Sequence, residues 1–501
     1  MLLTLVFLTA PTFFTLAAAK QAYNQSVKYD SGLLGSSPTQ SYVAATEYTP
    51  VQLNYEVPLT DETATKLSSG LLFFAPLAAD PAQPGPLIIK QDGTVVWDGA
   101  VAFPSAPSFH VEPYMGEDHL IIWSGESSGV GYGWGSWHVL NTAYEEVATY
   151  TAIGLPDNTP ADLHDSHIYS GDLATMTAYV TQEYDLRPYG GPKHGYILNC
   201  VVQEINITSN EVMFEWHSLD HVDPSESYTT PLITGWSASS PWDYFHLNAI
   251  DKDDSGNYLV SGRHIHTLFY LDASSGDIMW RLGGKNSNFT MGKDADFSWQ
   301  HDGRWRSAST ISLFDNAGTI GQQDRLSSRG MLLSIDTTAM TAELVHEYLP
   351  SKKAISRSQG NTQVLENGNV IVGWGAEPVF GEYDSEGNAL WEMRFGVSNV
   401  QAYRTYRFDW TATPSTPPSL SVTGDGSNRT AYAWWNGATE VATWGLYGSS
   451  DSGESVNLAN ATRTDFETLI NFEQLEDYAS YTVSALDASG QVLGTSDAVA
   501  A

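Results

Sequence analysis

Short runs of alternating apolar and polar residues fill this chain, broken every few positions by Gly, Thr or an aromatic residue, and no long 3.6-residue period is visible. The pattern predicts strands rather than helices. One phrase recurs, a turn followed by a strand that ends in a bulky aromatic: Asp92 to Trp97, Ala143 to Tyr150, Asn210 to Trp216, Ser275 to Trp280, Thr341 to Tyr348 and Glu386 to Trp391. Consecutive copies lie roughly 45 to 70 residues apart, as expected of a radial repeat with about four strands per unit. The expected fold is therefore all-β, a six-bladed β-propeller, with Trp97, Trp216, Trp280 and Trp391 as packing residues of its blades.

A second repeat places chemistry on that scaffold. A predicted hairpin follows each of Phe109-His110, Leu163-His164, Phe245-His246, Gln300-His301 and Gln359-Gly360. If these hairpins carry the innermost strands, their first residues point into the central channel, and His164, His246 and His301 meet on one axis. The segment from Asp243 to Arg263 reads as strand, polar turn, strand. With its turn centred between Asp254 and Ser255, His246 faces Arg263 across the ladder, and Asn248 shares that face through the period of two. A slip of one residue would swing the arginine away. An imidazole, an amide and a guanidinium at one end of one hairpin suit an oxyanion, because the planar guanidinium fork matches one.

Near Thr411 the composition shifts to a linker-like run ending at Pro418, and the runs Ala431 to Gly437, Glu440 to Tyr447 and Tyr478 to Leu486 then alternate like strands of a small sandwich. The expected division is a secretory signal over 1–19, a propeller over 20–412 and a fibronectin-like β-sandwich over 413–501. The apolar segment Met1 to Ala19 ends in small residues but lacks Lys and Arg; its alternative, a membrane anchor, is disfavoured because the run is short for a span. An exported, extracellular chain would carry N-glycans at its sequons, Asn24, Asn206, Asn288, Asn428 and Asn460. Cys200 is the single cysteine and, within an apolar run, reads as a buried inert thiol.

Charge narrows the partners. The 501 residues hold 58 acidic against 23 basic side chains, a formal net charge of -35. Phosphate-rich partners, whether nucleic acid or an anionic membrane, would be repelled. His264 and His266 have a ligand-like spacing on a predicted strand, but no third ligand can be placed, so neither a metal nor a cofactor is expected. His110 occupies the matching hairpin start of an earlier blade and stays outside the catalytic set. Asp157, Asp162 and Asp165 read as a solvated loop. The glycines and indoles between Gly129 and Trp137 are a candidate lining for an aromatic ligand.

Four motifs in order, Asp162-Leu-His164-Asp-Ser-His-Ile leading to Thr177-Ala-Tyr179, Phe245-His-Leu-Asn248-Ala-Ile, Ser261-Gly-Arg263-His264 and Trp299-Gln-His301-Asp302, resemble the arylsulfate sulfotransferase family. The segment from Trp435 to Trp444 resembles the sandwich of its fungal-type branch. The resemblance implies transfer of a sulfuryl group from a phenolic sulfate ester to a phenol, without a nucleotide donor, through a covalent histidine adduct. It places the nucleophile at His301 and the remaining site positions at His164, His246, Asn248 and Arg263. The chemistry suits these types, since a neutral imidazole is a competent nucleophile toward sulfur. Arg263 is expected to keep His301 neutral by like-charge repulsion and to hold sulfuryl oxygens. Two other readings use the same residues: a sulfate-ester hydrolase with water as acceptor, and a non-catalytic propeller that binds anionic or carbohydrate ligands.

Overall fold

Each recurring aromatic phrase forms an outer strand of its own antiparallel sheet. The computed structural model describes residues 22–77, 83–424, 429–451, 453–473 and 478–500; the signal expected over 1–19 and the sequon at Asn428 lie outside these. The first sheet holds Leu71–Leu77, Leu87–Ile89 and Val95–Asp98, and Gln401–Phe408 returns from far along the chain to pair with Leu71–Leu77. The second runs Phe109–Tyr114, Glu117–Ser127, Gly133–Leu140, Glu146–Tyr150, and the third Ser166–Ser170, Leu173–Tyr184, Gly195–Asn206, Glu211–His217. The fourth runs Leu247–Lys252, Tyr258–Gly262, Thr267–Leu271, Ile278–Gly283. His301–Ser307, Thr310–Asp315, Arg329–Asp336 and Thr341–Tyr348 form the fifth, which Thr290–Met291 extends. Asn361–Val364, Val370–Gly373, Val379–Tyr383 and Ala389–Arg394 form the sixth, and the early strands Leu53–Val57 and Ala22–Asn24 extend it. The α-helices among the described residues are single turns of four residues, and none is long and apolar enough to cross a membrane.

The aromatic repeat has a packing explanation. Trp97 is buried in the core between the first and second sheets, Tyr150 between the second and third, and Trp216 between the third and fourth. Trp280, Tyr348 and Trp391 follow the same rule, the last filling the core between the sixth sheet and the first. An aromatic on the fourth strand of each sheet thus fills part of the gap to the next sheet, where a large side chain removes much apolar area from water. Trp216→Ala is expected to cost about 3 kcal/mol or more, read as a loss of denaturant stability.

The first strands of the second to sixth sheets pack against one another in order, and the last of them packs against Gln401–Phe408. At the fourth sheet the pairing departs from expectation. The Asp253 carboxylate accepts the N–H groups of Ser255 and Asn257 and centres the turn on Ser255, so Ala249 pairs with Ser261. This is a half-residue shift of the turn centre from the expected place. An irregularity at Asn248 restores Leu247 opposite Gly262, and the Arg263 N–H donates to the His246 carbonyl at 3.0 Å.

The C-terminal strands form two further antiparallel sheets. One holds Ser419–Thr423, Thr430–Trp434 and Glu467–Asn471; the other holds Ser455–Thr462, Thr443–Ser449, Ser480–Leu486 and Val492–Thr495, with Val499–Ala500 on Ser480–Leu486. Between them lie Trp435, Trp444, Leu446, Ile470, Tyr481 and Val483. Asn436 fastens this unit to the first sheet, accepting the Asp98 N–H at 2.8 Å and donating to the Asp98 carbonyl at 2.9 Å. The Glu467 carboxylate accepts the N–H groups of Val43, Ala44 and Ala45.

Candidate functional site

Two histidines are backed by carboxylates. His164 Nδ1 lies 2.5 Å from Asp162 Oδ2, and His246 Nδ1 lies 2.5 Å from Asp243 Oδ2. In each pair the carboxylate also accepts the histidine's own backbone N–H, which fixes the short loop before the strand. The Asp162 carboxylate further accepts the Gly133 N–H and the Thr177 hydroxyl. Asp162 and Asp165 are therefore buried, not solvated as expected from the sequence, because their oxygens are consumed by protein donors, in Asp165 by the Ile250 N–H; Asp157 is exposed. With Nδ1 held by a carboxylate, Nε2 is the nitrogen of each ring left to face the site. His246 itself has φ 56°, a left-handed backbone position uncommon for a residue with a side chain. Burial pushes its pKa well below the usual range, with His164 and Arg263 adding to the effect.

His301 is held differently. Asn316 donates through Nδ2 to the carbonyls of Ser356 and Gln359, both at 2.9 Å. Its Oδ1 is left to accept, and it lies 2.7 Å from His301 Nδ1. The proton therefore sits on Nδ1, and His301 Nε2 accepts the Gln359 N–H at 3.1 Å. Burial holds this imidazole well below the usual range, and Arg263 is the next cause. The sequence reading put Arg263 first; loss of water around a ring that is 1% exposed outweighs it.

Among the described residues Arg263 is buried without a carboxylate within ion-pair distance, whereas the buried Arg304, Arg329, Arg404 and Arg407 each have one. Its guanidinium meets His264 Nε2 at 2.9 Å, the Arg357 carbonyl at 2.8 Å and the Thr319 hydroxyl at 3.3 Å, while Nε finds no partner among the described residues. Trp299 covers it at 5.3 Å. Burial draws its pKa down to about 10, so it remains a cation at neutral pH.

These side chains meet. The ring of His246 is 4.9 Å from His164 and 4.6 Å from His264, and Tyr403 of the first sheet touches both His164 and His301, at 5.6 and 6.4 Å. Asn248 is adjacent through the backbone: its Nδ2 donates to the Gln300 carbonyl at 2.7 Å and its buried Oδ1 has no partner among the described residues. Tyr132, from the glycine- and indole-rich loop, stacks on Tyr179 at 5.3 Å, which in turn stacks on His164. A Cβ on Gly131 would stand 3.3 Å from His246 Cε1.

His264 and His266 do not alternate on a strand, since Arg263–Ile265 is a 3-10 turn and His266 follows it in a left-handed conformation. Asp243, His246 and His264 offer atoms within 4.8 Å of one another, close enough to share a cation. Protons already serve these contacts: His264 Nδ1 donates to the Asp243 carbonyl at 2.7 Å. A second such group, His110, Glu112 and His167, lies beside the histidine cluster. It adjoins a buried ion network in which Asp165 accepts from Arg304 at 2.9 Å and Arg404 at 2.5 Å, and Asp302 accepts from Arg304 at 2.9 Å. The formal charges of Glu112, Asp165 and Asp302 exceed those of the two arginines by one, which a protonated His167 cancels. Burial and Arg304 oppose that proton, yet Asp165 and Glu112 prevail and push its pKa up to about 9.

Two stability predictions follow from these groups. Asp165→Asn leaves Arg304 and Arg404 underpaired in the interior and is expected to cost about 3 kcal/mol or more, measured by denaturant unfolding. The pH profile should be a dome. His264 and His266 are pushed down to about 3 by burial, so the unfolded chain takes up their protons first and stability falls as pH drops below about 6.5. His167 acts oppositely: its contribution is complete below about 6.5 and is lost as pH rises through about 9. Unfolding midpoints at pH 5, 7 and 9.5 should be highest at about pH 7.

The sequence reading missed Asp162, Asp243, Asn316 and Tyr403. The first two had a signal, a carboxylate two or three residues before a histidine at a hairpin start. Asn316 had none nearer than the hairpin register that places Phe314 opposite His301.

A family model described as arylsulfotransferase (ASST) matches residues 110–396. No curated protein matches the chain. Among solved structures, a protein of unknown function from Bacteroides caccae is 12% identical at a TM-score of 0.39, covering 68% of this chain and 100% of that one. A catalytically inactive virginiamycin B lyase from Staphylococcus aureus is 10% identical at 0.30, covering 77% and 97%.

Proposed function

The chain belongs to the arylsulfotransferase (ASST) family, and from that premise we propose that it is a secreted aryl sulfotransferase, moving a sulfuryl group from a phenolic sulfate ester to a phenol through a sulfohistidine on His301. The observation that carries the reading is Arg263, a buried cation without an ion-paired carboxylate among the described residues, flanked by the neutral imidazoles of His246 and His264. A buried charge of this kind is costly unless an anion completes it, and a sulfate ester supplies one anion with planar faces for the fork.

Each step has a group suited to it. His301 Nε2 gives up the Gln359 N–H and attacks sulfur; the bond from sulfur to the aryl oxygen breaks and the phenolate leaves with the electron pair. Arg263 and the freed Gln359 N–H stabilise the sulfuryl oxygens. An acceptor phenol then attacks sulfur while Nε2 of His164 or His246 takes its proton, and the electron pair of the sulfur–nitrogen bond returns to His301. That histidine then gives the proton to solvent, where the departed phenolate takes one up, so protons and charge balance over the cycle. Splitting the transfer in two avoids holding two aryl groups on one sulfur.

The same reading takes the six sheets as blades of a propeller spanning 20–412, the C-terminal unit as a fibronectin-like sandwich over 413–501, and the chain as fungal-type. Export would place glycans on the exposed Asn24, Asn288 and Asn460 more readily than on half-buried Asn206. The test is incubation with 4-methylumbelliferyl sulfate, with and without phenol. Phenol-dependent release of the fluorophore with formation of phenyl sulfate is expected. Equal release of inorganic sulfate in both arms would identify a hydrolase, and saturable binding without product a binding protein.

A further inference from the structure

Three loops that touch the site also carry bare apolar side chains. Loop 128–132 lies against His246 through Gly131 and exposes 74% of Val130. Loop 228–241 begins where the Tyr228 N–H donates to the His264 carbonyl at 2.8 Å, and it exposes 69% of Leu232, 91% of Ile233 and 61% of Trp236. The hairpin Gly318–Thr319 and Gln322–Gln323 reaches Arg263 through the Thr319 hydroxyl and holds Ile320, 89% exposed, at its tip.

Single exposed apolar residues are ordinary on protein surfaces. These differ because their loops attach to His246, His264 and Arg263, three residues in mutual contact. Just inside stand aromatic walls, the Tyr132 and Tyr179 stack and Trp299 over the guanidinium. A lipid surface is the poorer occupant for such a rim. The net charge of -35 opposes approach to anionic membranes, and each of the three loops is anchored on a residue of the site.

We propose that the three loops form an apolar collar that takes the ring system of a multi-ring aryl substrate, while its oxygen or sulfate reaches the histidines within. The inference rests on the transfer reading for its chemistry and adds the substrate class. One ring fits the inner walls; further fused rings extend between Val130, Ile233 and Ile320.

The test compares phenol with 1-hydroxypyrene as acceptors, using 4-nitrophenyl sulfate as donor, for the wild type, Ile233→Asp and Ile320→Asp. Both positions are so exposed that a carboxylate there leaves the core intact. The wild type should prefer 1-hydroxypyrene by about tenfold or more in kcat/KM. Each variant should lose about fivefold or more of that value, with phenol changed by less than about twofold. A parallel fluorescence titration of 1-hydroxypyrene without donor reads the collar apart from turnover, and the variants should bind it more weakly. Absence of turnover with collar-dependent binding retained would count against the transfer reading alone. Equal losses for both acceptors, or unchanged 1-hydroxypyrene binding in the variants, would overturn the collar. So would sedimentation with phosphatidylcholine vesicles that both substitutions abolish while the acceptor preference stays.

Discussion

His301→Ala is expected to lower transfer from 4-methylumbelliferyl sulfate to phenol by on the order of 10,000-fold, because removing a nucleophile removes the whole covalent route. The wild type, quenched during turnover, should carry the added mass of one sulfuryl group on the peptide containing His301, and the variant should not. The pH profile adds an independent check. Burial and Arg263 leave His301 unprotonated well below pH 6.5, outweighing the Asn316 hydrogen bond, which favours the charged ring, so kcat/KM should stay level as pH falls through about 6.5 and decline only further into acid. Asn316→Asp puts a carboxylate on Nδ1 in place of an amide, favours the imidazolium, and should move that acid limb upward. A limb that ignores residue 316 would mean that another group limits the rate.

Much of the scaffold was legible because it is repeated. A period that places an aromatic in each gap between neighbouring sheets leaves a trace at six positions, and no single position has to be read correctly. The hairpin starts gave His164, His246 and His301 by the same logic, and the structure brings their rings together through Tyr403. What the sequence hid depends on chain closure and on local capping. Tyr403 and Arg404 arrive on Gln401–Phe408, which leaves the order of the repeat to complete the first sheet, so no repeated phrase marks them. Early strands Leu53–Val57 and Ala22–Asn24 join the sixth sheet for the same reason. Asp162 and Asp165 were misread as solvated because acidic residues in a loop usually are; here the Gly133 N–H and the Thr177 hydroxyl take up Asp162, and the Ile250 N–H and two arginines take up Asp165. The turn after Lys252 was misplaced by half a residue because the Asp253 side chain, not the count of residues, sets its centre, and the irregularity at Asn248 then absorbs the difference.

Arg263→Met should separate function from stability. Methionine keeps much of the length and apolar stem but removes the charge and the planar fork. Loss of an oxyanion donor that acts in the transition state predicts a fall of about 100-fold or more in kcat/KM. Stability should move the other way. Four other buried arginines are paired with carboxylates, and truncating one of those would strand its partner; Arg263 strands none. Relief of an uncompensated buried charge is worth several kcal/mol, offset by about 1 to 3 kcal/mol for the Arg357 carbonyl left without its donor. A net gain of about 1 kcal/mol in denaturant unfolding is therefore expected. Sulfate should stabilise the wild type and leave the variant unmoved, because an anion that binds only the folded state raises its stability by mass action. A variant that is destabilised, or that keeps its response to sulfate, would show the guanidinium to be a structural tie between Thr319 and Arg357 rather than the seat of an anion.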